Sequence, residues 1–234
     1  FANIAHGCNT LLATRMAMKY ADWTITEAGF GFDLGAEKFF DIKCRAGGLD
    51  PDAVVLVTTI RALKSHGGQA RDALETPNAD AVRAGLANLD RHLESAAVFG
   101  KRPVVALNRF ATDTDEEIRI VRERAEAHGV RFAVSKHFTE GGAGAIELAR
   151  EVIAAAREPT AYQPLYELEL SVPEKICAVS RAIYGARVSL SVAGSAVFFA
   201  TLIGVPTGLL ASYIGGRVEN ILMRVIDVFV CLPE

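Results

Sequence analysis

Charge is missing from one part of this 234-residue sequence. No Asp, Glu, Lys or Arg occurs between Val188 and Gly216, and the last 48 residues hold six charged side chains against 47 in the first 186. A charge-free run from Val188 to Tyr213, about 38 Å as a helix, is long enough to cross a ~30 Å hydrocarbon core. Other absences exclude classes. The net charge of −3 leaves no basic footprint for nucleic acid. Cysteine is scarce: Cys8, Cys44, Cys177 and Cys231 are scattered without a CxxC pair, a pattern that suits a reducing compartment better than a disulfide framework. His6 and Cys8 stand close together, but with no further ligand type beside them they fit a packed thiol and a loop histidine better than a metal site. There is no GxxxxGK(S/T) loop, no GxSxG elbow and no HExxH helix. The chain starts at Phe1 with neither methionine nor a basic signal-peptide start, so we expect an internal piece of something longer.

What is present before the uncharged run alternates in type. Residues 9–21 carry Leu11, Leu12, Arg15, Met16 and Lys19 at helical spacing with one apolar side, and "DWTITEAG" reads as a short strand ending in a glycine turn. "DAVVLVTTI" and "RPVVALNRF" are apolar, β-branched runs of the kind found in strands buried on both faces. A helix follows the first, opened by Asn78 or Asp80 and stopped at Gly100. After the second, Thr114 and Glu117 stand at capping-box spacing, and Gly129 ends that helix. "VRFAVS" and "GAIELAREVIAAARE" supply a third strand and helix. The alternation predicts an α/β fold, a parallel sheet with flanking helices.

In such sheets ligands bind beyond the carboxyl ends of the strands. That nominates Glu27 to Asp33, Thr58 to Gly68, Asn108 to Asp115 and Ser135 to Gly144. Within and beside them, Glu27, Asp33, Glu37 and Lys38 lie among Gly29, Gly31 and Gly35, a pattern open to a structural turn or a phosphate cradle. Thr59, Arg61, Lys64 and His66 form a polar, basic strand end that suits a phosphate or carboxylate, or serves as a solvated loop. Asn108 and Asp113 flank Phe110 at the mouth of the next strand, and Phe138 follows the third. Two aromatics at neighbouring strand ends can sandwich a flat heteroaromatic ring. No metal ligand set is assigned.

At these residues the sequence resembles the formate–tetrahydrofolate ligase family. "VTTIRALKSHGG" is similar to its signature V-A-T-(I/V)-R-A-L-K-x-(H/N)-G-G, departing at Thr58, and "FANIAHGCNTLLATRMAMKYADWTITEAGFGFDLGAEKFFDIKCR", "LNRFATDTDEE" and "EGGAGAIELA" match in order and spacing. The resemblance covers residues 1–186 and implies a fragment of a P-loop-NTPase-like ligase. It implies Mg-ATP, formate and tetrahydrofolate as ligands, a monovalent cation (potassium or ammonium), a homo-oligomer and a cytoplasmic location. It implies that a pterin stacks between Phe110 and Phe138, the second being tryptophan in many members. The family's phosphate-loop lysine and formyl-phosphate arginine have no copy in this chain, so the resemblance implies that the chain alone is inactive.

Residues from about 180 to 234 resemble something else, overlapping the first resemblance across Ser180 to Ala186. "YGARVSLSVAGSAVFFATLIGVPTGLLASYIGGRVENILMRVIDVFVCLP" is similar to the membrane-spanning core of dipeptide/oligopeptide ABC-transporter permeases, with a GxPxGLLA helix and an M-R-x-x-D segment. It implies a C-terminal transmembrane-type helix and membrane association through 188–213. Two alternatives to a ligase fragment therefore stand: a permease component of a peptide importer, or a mis-joined gene product with no native function.

Overall fold

A computed structural model describes residues 9–29, 31–184 and 202. The chain divides into two compact units, Phe1–Ile183 and Tyr184–Glu234, and the architecture below is that of the first. No helix among the described residues is long and apolar enough to cross a membrane; the expected span at 188–213 lies outside them except for residue 202, and His6 and Cys8 lie outside them too.

Helix α1 (Leu11–Tyr20) is capped by the Thr10 hydroxyl, which accepts from the Ala13 N–H at 3.2 Å. Two widely wound helical segments, Phe32–Ala36 and Phe39–Cys44, run into a single turn, α2 (Arg45–Gly47). Strand β1 (Val55–Thr58) leads to α3 (Ile60–His66) and the long α4 (Ala79–Val98). Strand β2 (Val104–Asn108) leads to α5 (Asp115–Ala127), and β3 (Phe132–Ser135) to the single turn α6 (His137–Glu140) and to α7 (Ile146–Ala156). Helix α8 (Val172–Val179) follows a long connection. The sheet is parallel in the order β1-β2-β3, with Leu56 opposite Val105 and Val105 opposite Phe132, as the alternation predicts.

Capping chemistry sets the helix ends where the sequence places them. Asn78 caps α4, Thr114 and Glu117 form a reciprocal capping box on α5, and Gly100 and Gly129 follow their helices at φ 74° and 66°, a region that costs other residues strain. One face of the sheet, carrying Leu56, Val105, Leu107 and Phe132, packs with Ile60, Leu63, Val82, Leu89 and Val121 into the main core. The register puts Val104, Ala106 and Ala133 on the other face, where α7 packs against β2 and β3. Helix α4 approaches α3 closely because Gly85 has no side chain: a Cβ there would stand 1.9 Å from the Leu63 carbonyl oxygen. A second core gathers Phe39, Phe40, Cys44, Phe99 and Ile183, with Phe40 stacked on Phe99 at 4.6 Å between centroids and on Tyr162 at 5.8 Å.

Three expectations fail. "DWTITEAG" is not a strand; it has no ladder partner among the described residues, and Ile25 is 93% exposed. β-Branched propensity does not make a strand without a neighbour to pair with. Strand β1 is not buried on both faces: α7 covers β3 and β2, and Val57 on the uncovered side is 65% exposed. Helix α1 does not present one apolar side to the core: Leu12, Met16 and Met18 turn outward, and Leu11, partly buried, lies against Gly47.

Candidate ligand-binding face

The carboxyl ends of the parallel strands bring Thr58, Asn108 and Ser135 to one edge of the sheet. Phe110 lies just beyond β2 in a turn closed twice by Asp113. The Asp113 carboxylate accepts the Phe110 N–H at 2.7 Å, and the Asp113 N–H donates to the Phe110 carbonyl at 3.1 Å. Burial pushes the Asp113 carboxyl above its ordinary value, against the lowering effect of the Phe110 N–H, and the nearby Glu117 charge adds to the rise. Its other oxygen, Oδ1, and the Thr112 hydroxyl are buried without a hydrogen-bond partner among the described residues.

Arg61 comes to the same place from the first turn of α3. Thr59 caps that helix through the Ala62 N–H at 3.0 Å, which holds Arg61 at the strand end. The Arg61 guanidinium carbon stands 4.3 Å from the centroid of the Phe110 ring, a cation–π contact, and Nη2 pairs with Glu75 at 2.9 Å. The Arg61 Nε–H is buried with no acceptor among the described residues. Thus three residues expected on the ligand face (Arg61, Phe110 and Asp113) meet around one aromatic ring.

Lys64 does not join them. It is 1% exposed and ion-pairs with Glu117 at 2.7 Å, while its remaining donors reach the carbonyls of Thr76 at 3.0 Å and Leu74 at 3.4 Å. A lysine so enclosed has no donor left for a ligand, and its work is structural. Glu117 in turn accepts from the Asn78 N–H and from the N–H and hydroxyl of Thr114, each at 2.9 Å. Burial alone would raise the Glu117 carboxyl; Asn78, Lys64 and Thr114 together hold it below the ordinary carboxylate value. One buried carboxylate therefore ties α3, the loop before α4 and the start of α5. The capping-box spacing reveals Glu117 as a cap; nothing local reveals its lysine.

The remaining candidates are dispersed. His66 is exposed at the end of α3. Phe32, beside Asp33, places its ring 6.1 Å from that of His92. Burial lowers the His92 imidazole, and Asp33 opposes that shift. Glu27 is exposed. The glycines between Glu27 and Glu37 serve the chain itself: a Cβ on Gly35 would fall 1.7 Å from the Gly29 carbonyl oxygen. That favours the structural turn over a phosphate cradle. Glu37 belongs to a carboxyl pair, pushed up to about 7 by burial, by the Asp41 charge and by a hydrogen bond to Asp41, with Lys38 pulling the other way. Sequence reasoning missed Asp41, 3% exposed, which accepts from the Leu165 N–H at 3.0 Å; an acid four residues after Glu37 was the only local signal. Phe138, on α6, is 87% exposed. An open cleft of about 320 Å³, which Phe138 does not line, is bounded by Arg109, Asp115, Arg119, Arg122, Lys136 and Glu147, with charges of both signs. Among the described residues no group of three or more His, Cys, Asp or Glu is arranged to hold a metal ion.

Comparison with known proteins assigns this arrangement a lineage. A sequence model described as formate–tetrahydrofolate ligase matches residues 1–196. Formate–tetrahydrofolate ligases of Staphylococcus aureus strains NCTC 8325, MSSA476 and Newman are each 52% identical over 185 residues, covering 79% of this chain and 33% of theirs. The chain thus spans about a third of the length of these relatives.

Proposed function

Because the chain belongs to the formate–tetrahydrofolate ligase family, we propose that it is the folate-facing segment of an enzyme that joins formate to tetrahydrofolate in an ATP-dependent reaction. The observation that carries this reading is the Phe110 platform. A ring held rigidly by the Asp113 turn, partly open to solvent and edged by unpartnered polar atoms, fits a flat heterocycle with hydrogen-bonding edges. Phe138, exposed on α6, is the second stacking surface in this reading, smaller than the tryptophan many members carry.

The overall reaction is formate activation by ATP to formyl phosphate and ADP, then formyl transfer to tetrahydrofolate with release of phosphate. The residues described here do not fit the first half. The Gly29–Gly35 crossing is filled by backbone, Lys64 is committed to Glu117, and among the described residues no group of three or more His, Cys, Asp or Glu is arranged to hold a metal ion. What these residues do is bind and orient the pterin. Localisation to the cytoplasm and homo-oligomerisation follow from the same reading.

We assign residues 1–186 to this ligase-like α/β region and 187–234 to a separate permease-like, membrane-associating segment. The division of the chain after Ile183 and the loss of charge from Val188 support a boundary here, while the family match itself runs on to residue 196. The test is fluorescence quenching by folate combined with a turnover assay on the purified 234-residue chain. Binding that is lost in Phe110→Ala, without ATP- and formate-dependent product, is expected. Equal binding by Phe110→Ala removes Phe110 from the site, and turnover refutes the assignment of this chain to binding alone.

A further inference from the structure

The geometry points to Arg61 as a displaceable cap that determines which ligands the Phe110 ring accepts: its guanidinium covers the ring until an anionic group on the ligand draws it away. This rests on the reading of Phe110 as a stacking platform. The guanidinium carbon is 4.3 Å from the ring centroid, so Arg61 occupies the contact distance that a planar ligand would need on that face. The cap is lightly held. Its one ion-pair partner among the described residues, Glu75, is 67% exposed, and pairs of that kind contribute little in water. It is also incompletely satisfied: Arg61 Nε–H is buried and unpartnered among the described residues, so a ligand oxyanion gains a donor that the protein itself leaves unused.

A neutral planar molecule and an anionic one therefore meet different costs at the same ring. The neutral molecule must displace the guanidinium and gives it nothing. The anionic one exchanges Glu75 for its own carboxylate or phosphate and uncovers the ring in doing so. Selectivity here comes from a repulsive element, a covered face, as much as from an attractive one. The chemical class selected is a flat heteroaromatic ring that carries an oxyanion within reach of Arg61.

Two probes separate the contributions: pterin, neutral near neutral pH, and folic acid, which adds a dianionic glutamate tail to the same bicycle. Binding of each to the 234-residue chain is compared by fluorescence titration in the parent, Arg61→Ala, Glu75→Gln and Phe110→Ala. The expected result is that Arg61→Ala binds pterin about two- to fivefold more tightly, the worth of an exposed cation–π contact, and binds folic acid more weakly. Glu75→Gln, which releases the cap without touching the core, is expected to tighten folic acid. Pterin binding unchanged or weakened in Arg61→Ala overturns the proposal, as does folic acid binding unchanged in Glu75→Gln. The underlying platform reading fails in a different pattern: Phe110→Ala then binds both probes as the parent does, and the cap falls with it. A parent and an Arg61→Ala variant that both bind neither probe also overturn it.

Discussion

Substituting methionine at Lys64 leaves the Glu117 carboxylate buried without its counter-ion while keeping most of the side-chain volume. Both side chains are 1% exposed and stand 2.7 Å apart, so solvent cannot replace the lost ammonium. Breaking a buried pair from one side costs about 3–5 kcal/mol. Glu117 keeps three donors, the Asn78 N–H and the N–H and hydroxyl of Thr114, which places the loss near the low end of that range. The Thr76 carbonyl, 3.0 Å from the ammonium, loses its donor as well, adding about 1 kcal/mol. The expected destabilisation is therefore about 3–4 kcal/mol. Urea denaturation of the full chain followed by far-UV circular dichroism measures it: with a slope of about 2 kcal/mol/M, the midpoint falls by about 1.5–2 M. Glu117→Gln removes the charge from the other side, and the double variant is expected to cost about 2 kcal/mol less than the sum of the two singles. A midpoint shift under about 0.3 M in Lys64→Met, or strict additivity in the cycle, refutes the claim that this pair holds α3 to α5. Refutation would also return Lys64 to the candidates for ligand binding.

The carboxyl pair gives a pH signature. Glu37 is held up to about 7, against an ordinary value of 4.5, so between those values the folded chain binds the proton more tightly than the unfolded chain does. Stability is therefore expected to fall as pH rises from about 4.5 to about 7 and then to level off. After allowance for solvent screening of a partly exposed group, the loss is about 1–2 kcal/mol. Denaturation midpoints across that range are expected to flatten in Glu37→Gln; an identical slope in parent and variant removes Glu37 as the cause. The uncharged segment after Arg187 is expected to carry the chain into the membrane fraction, resistant to alkaline carbonate extraction. Recovery of all the protein in the supernatant argues against a membrane-associating segment.

How far the sequence reveals this molecule depends on whether each decision is local. Helices α4 and α5 and strand β2 are readable because their caps, periodicity and stop glycines lie within a few residues of each other: Asn78 and Gly100, Thr114 and Glu117, then Gly129. The course of residues 22–29 is not, since Thr24 and Ile25 carry strand propensity while pairing depends on a neighbour that propensity cannot supply. The one-sided burial of β1 fails for the same reason: "VVLV" is equally apolar whether α7 reaches it or stops at β2. The site divides along the same line. Phe110 and Arg61 are nominated by standing at strand ends, a rule of topology, but their contact joins side chains from separate strand–helix units. Lys64 shows the cost of reading chemistry from residue type alone. Three residues after Arg61 on a helix of seven, it carries the same charge, yet α3 turns it inward to Glu117 and leaves Arg61 at the ring. A difference of one helical turn separates a structural ion pair from a candidate ligand-binding cation, and only the packing of α3 against α4 and α5 decides which is which.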